Sequence, residues 1–272
     1  EVTVALSGDG GDELFAGYER YRALWLSNKL RSLFPVHKIP GLHLIQKLPD
    51  SNRRNSLVRR GKRFLEALDQ PPARRYLNWL QIFPESLRAS IYTDSFLEML
   101  PGDDPFEFLD SAWTQSTGRD LVTRASTTDI LSYLPCDLCT KVDIASMAHG
   151  LEVRQPLLDH RVVEFAASLP VNLKFRGKRG KLILQDAFGS MIPKSIFTRK
   201  KMGFGIPIAN WFRDELKPMV HDTLLSQDAR IRPYFRQESI TELVRSHETN
   251  EQNHGYRLWN LLILEKWLRE WT

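Results

Sequence analysis

The sequence predicts a mainly helical fold with one or two short strands at the N terminus and the periphery. Residues 2–6 are apolar and partly β-branched, which is typical of a short buried strand. Apolar residues then recur at three- and four-residue steps over residues 12–34 and 256–271, which indicates helices. Almost no alternating strand pattern occurs between residues 20 and 170, so the middle of the chain is expected to be helical.

Length and composition indicate the broad class of protein. The 272 residues are 42% hydrophobic and 26% charged, enough for one large domain or two small ones. No apolar run approaches the length of a membrane span, so neither a membrane-spanning segment nor a signal peptide is expected. A lone strand cannot satisfy its edges, so the strand at residues 2–6 predicts the C-terminal piece of a longer protein whose other part holds the rest of a sheet.

The stretch after the first strand carries the strongest chemical signal. It holds one hydroxyl, three glycines and three acids: Ser7, Gly8, Asp9, Gly10, Gly11, Asp12 and Glu13. Glycines at the end of a strand let backbone N–H groups approach a phosphate, and Mg²⁺ between the acids would remove their repulsion of it. The acids could instead be turn and helix-start residues, but three glycines beside three acids favour a Mg–polyphosphate site.

The next part reads as helices separated by prolines. Residues 12–34 predict one helix ending near Phe34, and residues 51–68 predict a very basic helix containing the cluster from Arg53 to Arg63. We interpret that cluster as a solvated helix face, and a nucleic-acid partner is not expected because the aromatic residues lie at helical spacing among leucines. Cys136 and Cys139 have the spacing of one half of a zinc or redox site, but no second pair accompanies them. Two unpaired thiols in a reducing cytoplasm therefore fit better.

Three charged residues fall within the predicted helical stretch 120–147. Helical spacing places Asp137 and Lys141, together with Asp129, near one line. Lys141 either forms an ordinary surface ion pair with Asp137 or faces the phosphate site, and spacing favours neither.

Residues 150–169 predict a turn, an extended segment and a helix. Asp159 suits the N-cap of a helix that ends at Leu169. Glu152 and Arg154 lie in the extended apolar segment and are expected to form a buried network.

The remaining segments are basic turns and a final helix. Lys181 is expected in the first turn of a helix, where a cation opposes the helix dipole; it is either directed at a ligand or solvated. Residues 199–207 predict a mobile lid over an anionic substrate or a plain turn before a helix starting near Ile208. Residues 256–271 predict an amphipathic core helix, with Trp259 and Trp267 among its apolar residues.

Several of these segments match, in order, the motifs of one family. They are residues 7–18, Tyr133-Leu134-Pro135 with residues 140–143 and 146–149, residues 150–159, Gly177-Lys178 with Lys181, residues 201–207, and residues 259–262 with Trp267. Together they resemble the glutamine-dependent asparagine synthetases. The resemblance covers nearly the whole chain except residues 30–115.

The resemblance implies a fold and a domain organisation. Residues 1–272 would be the C-terminal portion of an α/β pyrophosphate-loop synthetase domain, of the adenine nucleotide α-hydrolase type. The family's N-terminal glutaminase domain and its pyrophosphate loop are absent from the sequence, so this chain alone is expected to be inactive. Family members make an aspartyl-adenylate from aspartate, ATP and Mg²⁺, and ammonia from glutamine then displaces AMP.

The resemblance also implies roles for particular residues. Asp9 and Lys181 would be catalytic: Asp9 as a base for ammonia, in place of a family Glu that is one methylene longer, and Lys181 as a cation at developing negative charge. Asp12 would bind Mg²⁺. The residues assigned to nucleotide or substrate binding are Ser7, Gly8, Gly10, Tyr18, Lys141 and Arg154.

Two other functions remain open from the sequence. Asp9 in place of Glu leaves room for an amidotransferase of the same fold that acts on another carboxylate, in sugar or secondary metabolism. A non-catalytic helical interaction module is the third reading, although retention of Asp9, Asp12 and Lys181 together argues against it. The expected setting is cytoplasmic, without membrane or nucleic acid, with the missing N-terminal domain as partner and a homodimer allowed.

Overall fold

The computed structural model describes residues 2–33, 61–62, 64–65, 67–102, 104, 106–198 and 205–272. They fall into two compact units. The first combines Glu1–Ile39, Ala67–Trp79 and Asp104–Lys200, and the second combines Pro40–Glu66, Leu80–Asp103 and Lys201–Thr272. The chain is mostly helical with one short parallel sheet, which confirms the predicted fold class.

Most elements of the described chain belong to the first unit. It begins with β1 (Val4–Leu6), α1 (Gly11–Leu14), α2 (Glu19–Leu33) and α3 (Pro72–Leu80), of which only Leu80 falls in the second unit. The second unit then contributes α4 (Glu85–Ile91) and α5 (Asp94–Met99). The first unit resumes with α6 (Glu107–Thr114), α7 (Leu121–Leu131), a π-helix (Leu134–Cys139), α8 (Thr140–Met147), β2 (Glu152–Arg154), a 3₁₀-helix (Pro156–Leu158), α9 (His160–Ser168), α10 (Val171–Lys174), α11 (Leu182–Phe188) and α12 (Lys194–Thr198). The second unit continues with α13 (Ile208–Trp211), α14 (Lys217–Leu224), α15 (Gln237–Glu248) and α16 (Gly255–Trp271).

The two strands pair in parallel, so the end of β1 lies beside the end of β2. Val4 is opposite Glu152 and Leu6 is opposite Arg154. The prediction of a buried strand is wrong for the described residues, since Val4 is 37% and Leu6 is 72% exposed. Side chains two apart share a face of a strand, so Glu152 and Arg154 are exposed as well. They form an ion pair (2.7 Å), but the expected buried network is not there.

The helix predicted over residues 12–34 is two helices, α1 and α2, separated by residues 15–18. Ala16 adopts a left-handed backbone (φ 56°), which no α-helix allows. The helix is interrupted there, and the Phe15 carbonyl accepts a hydrogen bond from Lys181 N (2.8 Å) instead. A distant segment therefore ends α1, which the local pattern of apolar residues could not show.

The core of the first unit near this break is small and apolar. Leu14 and Phe15 pack with Ala166 and Leu169, and side chains from α9 and α11 cover them. The predicted cap of α9 is confirmed, because Asp159 Oδ1 accepts from Arg161 N (2.9 Å) and the helix ends just before Leu169. This core holds α1, α9 and α11 against one another.

The second unit has its own core, built mainly from α13 to α16. The last helix supplies buried side chains from Leu258, Leu261, Leu262 and Leu268, and the predicted helix near Ile208 is confirmed as α13. Trp259 and Trp267 differ from the prediction, since they are 37% and 54% exposed. The helix is apolar on both faces, and sequence alone could not tell which one is buried.

A buried histidine stands inside this second unit. His247 is fully buried; its Nε2 lies 3.0 Å from Ala209 O, and its Nδ1 accepts from His254 N (3.1 Å). Burial, followed by the nearby positive charge of Arg213, lowers the pKa of His247 from 6.5 to about 4. The imidazole is therefore neutral in the folded chain at neutral pH.

This histidine predicts an acid-dependent loss of stability. The unfolded chain takes up a proton near pH 6.5 and the folded chain only near pH 4, so His247 stabilises the fold fully above pH 6.5 and progressively less as the pH falls to 4. The 2.5-unit difference corresponds to about 3 kcal/mol. Urea denaturation at pH 4 to 7 should show the free energy of unfolding falling as the pH is lowered. The His247→Asn variant should be less stable overall, and its free energy of unfolding should depend less on pH. Equal slopes in both proteins would contradict the assignment.

Several sequence predictions fall outside the described residues. The end of the first long helix at Phe34, most of the basic helix at 51–68 and residues 199–204 of the predicted lid or turn are among them.

Candidate functional site

The loop between β1 and α1 is tied by backbone hydrogen bonds at both ends. Ser7 N donates to Arg154 O on β2 (2.9 Å), and Gly11 N donates to Gly8 O (3.2 Å). Within the loop, the Ser7 hydroxyl donates to Asp9 Oδ2 (2.8 Å). The β1–β2 pair therefore fixes where the loop starts, and Ser7 fixes the orientation of the Asp9 carboxylate.

One glycine of this loop is required by the backbone and by its surroundings. Gly10 has φ 84°, a conformation that L side chains rarely adopt. The Leu158 side chain occupies the space that a Cβ at Gly10 would need. The loop is thus packed closely against the segment that leads into α9.

Asp12 and Lys181 meet across this loop, although they are far apart in sequence. Lys181 Nζ lies 2.9 Å from Asp12 Oδ1, and both side chains are partly exposed, at 37% and 23%. Lys181 is the N-cap residue of α11 with a left-handed backbone (φ 54°), one position before the expected first turn. Its side chain is paired with the loop rather than free in solvent, and a ligand-directed role for Lys181 stays a prediction.

Two glycines permit this close approach. A Cβ on Gly17 would collide with Asp12 Oδ1 and Lys181 Cε, and a Cβ on Gly180 would collide with the backbone oxygen of Ala16. The first collision involves side-chain atoms that can move, whereas the second involves backbone that cannot move without breaking the turn at residues 15–18.

Gly180→Ala is therefore expected to destabilise the chain by about 1–3 kcal/mol, in the range for overpacked sites. Gly8→Ala is the matched control, because nothing lies within 4 Å of a Cβ at Gly8. Urea denaturation of both variants measures the difference. Equal midpoints for the two would show that the approach of residues 16 and 180 is not tight.

Glu13, the third acid of the opening stretch, points into the protein. It is 1% exposed, and its Oε1 accepts a hydrogen bond from the Tyr18 hydroxyl (2.5 Å). Burial raises the pKa of Glu13, and it raises the pKa of Tyr18 as well. The prediction that three acids surround one Mg²⁺ is wrong for Glu13, because α1 turns its side chain inward.

Tyr18 leads to a buried polar cluster that the sequence did not reveal. The Arg20 guanidinium carbon lies 3.8 Å from the centre of the Tyr18 ring and 4.6 Å from that of Tyr133. Arg20 also forms an ion pair with Asp129 (2.7 Å). The Asp129 carboxylate is fully buried, so the expected line of Asp129 with Asp137 and Lys141 is wrong.

Two tyrosines complete this cluster. The hydroxyls of Tyr21 and Tyr76 donate to Asp129 Oδ2 at 2.5 and 2.6 Å, and both residues are fully buried. Burial raises the pKa of both tyrosines, which keeps them protonated as donors. We call Arg20, Tyr21, Tyr76 and Asp129 the Asp129 cluster. It joins α2, α3 and α7 directly behind Tyr18.

The other predicted binding residues lie outside the Asp12–Lys181 contact. Lys141 pairs with Asp137 (3.5 Å) on the surface, which is the surface-pair alternative. Arg154 pairs with Glu152, and its backbone rather than its side chain holds the loop. Both cysteines are free; Cys139 in the π-helix lies close enough to Asp9 and Glu13 that their charge adds to burial in raising the pKa of its thiol.

The expected magnesium site can be tested against these residues. Among the described residues, no group of three or more His, Cys, Asp or Glu side chains could hold a metal. Mg²⁺ commonly takes only one or two carboxylates and completes its shell with water and substrate phosphates. The partly exposed carboxylate of Asp12 fits that kind of shared site and does not fit a site formed by this chain alone.

A glycine-rich acidic loop faced by one lysine thus defines a candidate site for an anionic ligand. The family model for asparagine synthase matches residues 1–269. The chain belongs to the asparagine synthase family.

Curated relatives agree with this membership. The chain is 29% identical over 272 residues to asparagine synthetase (glutamine-hydrolyzing) 1 of Bacillus subtilis (strain 168). The matched region covers 98% of this chain and 40% of that protein. It is 25% identical to amidase chyE of Penicillium rubens, covering 94% of this chain and 40% of that protein. It is 36% identical to asparagine synthetase (glutamine-hydrolyzing) of Gallus gallus over a match that covers 35% of this chain and 18% of that protein.

The chain therefore spans about two fifths of the length of the first two of these relatives. No solved structure matches it significantly. Among the described residues, no helix has the length and apolar character needed to cross a membrane.

Proposed function

We propose that this chain is the C-terminal portion of an ATP-dependent amide-forming ligase. The ligase activates the carboxylate of aspartate, or of a similar acid, as an acyl-adenylate, and ammonia released from glutamine by an N-terminal domain then displaces AMP. Family membership supports the class of reaction. The contact of Asp12 with Lys181 is the observation that carries the proposal, because it joins two separate family motifs at one loop.

The described side chains suit distinct parts of this reaction. Ser7, Gly8 and Gly10 would line the nucleotide, with the glycine backbone open to phosphate oxygens. Asp12 would hold Mg²⁺, which when bound neutralises phosphate charge. Lys181 would stabilise the negative charge that develops on the phosphate as the adenylate forms and breaks.

Asp9 would act as the base toward ammonia. Its carboxylate is held by the Ser7 hydroxyl at 2.8 Å, which fixes one oxygen and leaves the other for a proton. Tyr18 would contribute to nucleotide or substrate binding from the edge of the site. Lys141 and Arg154 would do so only after leaving their surface ion pairs with Asp137 and Glu152. The two free cysteines agree with a reducing compartment, and we propose the cytoplasm.

A related amidotransferase acting on another carboxylate is the second candidate. Asp9 is shorter than the family Glu, and its tie to Ser7 restricts its reach further. The similarity to a fungal amidase over 94% of the chain also favours keeping this candidate.

Exchange of labelled pyrophosphate into ATP separates the candidates. The protein that contains this chain, with its N-terminal part, is incubated with Mg²⁺, ATP and one acid at a time: aspartate, glutamate or another dicarboxylate. Exchange with aspartate supports asparagine synthesis, and exchange only with another acid supports the second candidate. No exchange with any acid would contradict both and leave a non-catalytic module.

A further inference from the structure

A second cleft of the first unit lies between α2 and the start of α7. Its volume is about 760 Å³, within the range of sites for small molecules. None of the residues that line it belongs to the loop of residues 7–13 or to the Asp129 cluster. The cleft is therefore distinct from the residues to which we assign the ligase reaction.

The wall of this cleft is aromatic and fixed. Trp25 and Phe175 both line it and pack edge to face, with ring centres 6.1 Å apart at 68°. Phe175 is 6% exposed, which anchors the pair. An aromatic wall of this kind favours a flat apolar group.

The rim of the cleft is positive. Lys29, Arg119 and Arg176 line it, and none of them forms an ion pair with an acid within the described residues. Lys29 Nζ lies 5.3 Å from the centre of the Trp25 ring, so this charge sits directly at the aromatic wall. Within the part of the chain that the structure describes, the Arg119 guanidinium makes one long contact, with Ala167 O (3.4 Å).

Among the described residues that line the rim, the one acid, Asp120, is already used. Asp120 caps α7, and its carboxylate accepts hydrogen bonds from Val122 N, Thr123 N and the Thr123 hydroxyl. Lys174 adds positive charge from behind the wall: it is 4% exposed, and its ammonium donates to Ala166 O (3.0 Å). The charge of the cleft is thus complementary to an anion.

We propose that this cleft binds a small amphipathic anion: a carboxylate, sulfonate or phosphate group carried on an aromatic body. The flat body lies against Trp25 and Phe175, and the acidic group is bound by Lys29, Arg119 and Arg176. The site is separate from the adenylation site and is occupied independently of it.

Calorimetric titration of the protein that contains this chain, with its N-terminal part, with naphthalene-2-sulfonate tests the proposal. Saturable binding is expected, about tenfold tighter than for the neutral naphthalene-2-sulfonamide, because hydrogen bonds from cations to a charged sulfonate are stronger than those to a neutral group. Inorganic phosphate, which lacks the aromatic body, should bind at least tenfold more weakly than the sulfonate.

Exposed variants identify the site without risk to folding. Arg176→Ala and Lys29→Ala should each weaken sulfonate binding several-fold. Lys266→Ala and Trp267→Ala, exposed positions of α16, should leave it unchanged, as should Asp12→Asn at the proposed adenylation site. Equal affinity for sulfonate and sulfonamide, no saturable binding, or equal loss in the α16 variants would overturn the proposal, whatever the outcome of the exchange assay.

Discussion

Replacing Lys181 by alanine is expected to reduce acid-dependent pyrophosphate exchange by ~10²–10³-fold, the range for removal of a fixed group that stabilises developing charge. The side chain is held 2.9 Å from Asp12, and its backbone is held by Phe15 O, so the charge is already placed before substrate arrives. Preorganised charge of this kind acts in the transition state rather than only in binding. The loss should therefore appear mainly in the maximal rate.

The matched control for this change is Lys178→Ala. Lys178 is an exposed cation of the same turn and does not reach the loop pair. Its exchange rate should stay within about twofold of the unchanged protein, as expected for an exposed charge. Asp12→Asn should lose activity to a similar degree as Lys181→Ala and should also raise the Mg²⁺ concentration needed. Equal activity of the two lysine variants would remove Lys181 from the mechanism.

Removal of Asp129 is expected to have the largest effect on stability. Asp129→Ala leaves the hydroxyls of Tyr21 and Tyr76, which are fully buried, and the Arg20 charge, whose side chain is 20% exposed, without their acceptor. Breaking a buried ion pair from one side costs about 3–5 kcal/mol. Urea denaturation should therefore show a midpoint far below that of the unchanged chain.

Asp137→Ala provides the comparison for that experiment. It also breaks an acid–cation pair, but Asp137 and Lys141 are about half exposed, and such pairs contribute about 0–1 kcal/mol. If Asp129→Ala yields no folded protein, Tyr21→Phe, which removes one hydroxyl, should still cost about 1 kcal/mol. A stability for Asp129→Ala equal to that of Asp137→Ala would contradict the role of the cluster.

The sequence predicted those features that depend on local chemistry. The helical content, the Asp159 cap and the helix at Ile208 each follow from nearby residues and are confirmed. A ligand-directed role for Lys181 was predicted from its conflict with the helix dipole, and it stays a prediction. That residue does face the loop, through Asp12.

Other features depend on contacts between distant segments and could not be predicted. Periodicity over residues 12–34 fits one helix, and only the bond from Lys181 N to Phe15 O explains the break. The change from α7 to the π-helix alters the helical phase, so spacing placed Asp129 beside Lys141 although it lies in the core. Arg20 carried no signal of its own, because its two aromatic neighbours and its acid come from different elements.

The parallel pairing of β1 with β2 has a consequence for how the chain folds. It joins residue 4 to residue 152, and it supplies the carbonyl that holds Ser7. Contacts between such distant residues require closure of a very long loop and so form slowly. We expect the helices between the strands to form first and the glycine-rich loop to become ordered late. Ligand-binding competence should then lag behind the recovery of helical content during refolding.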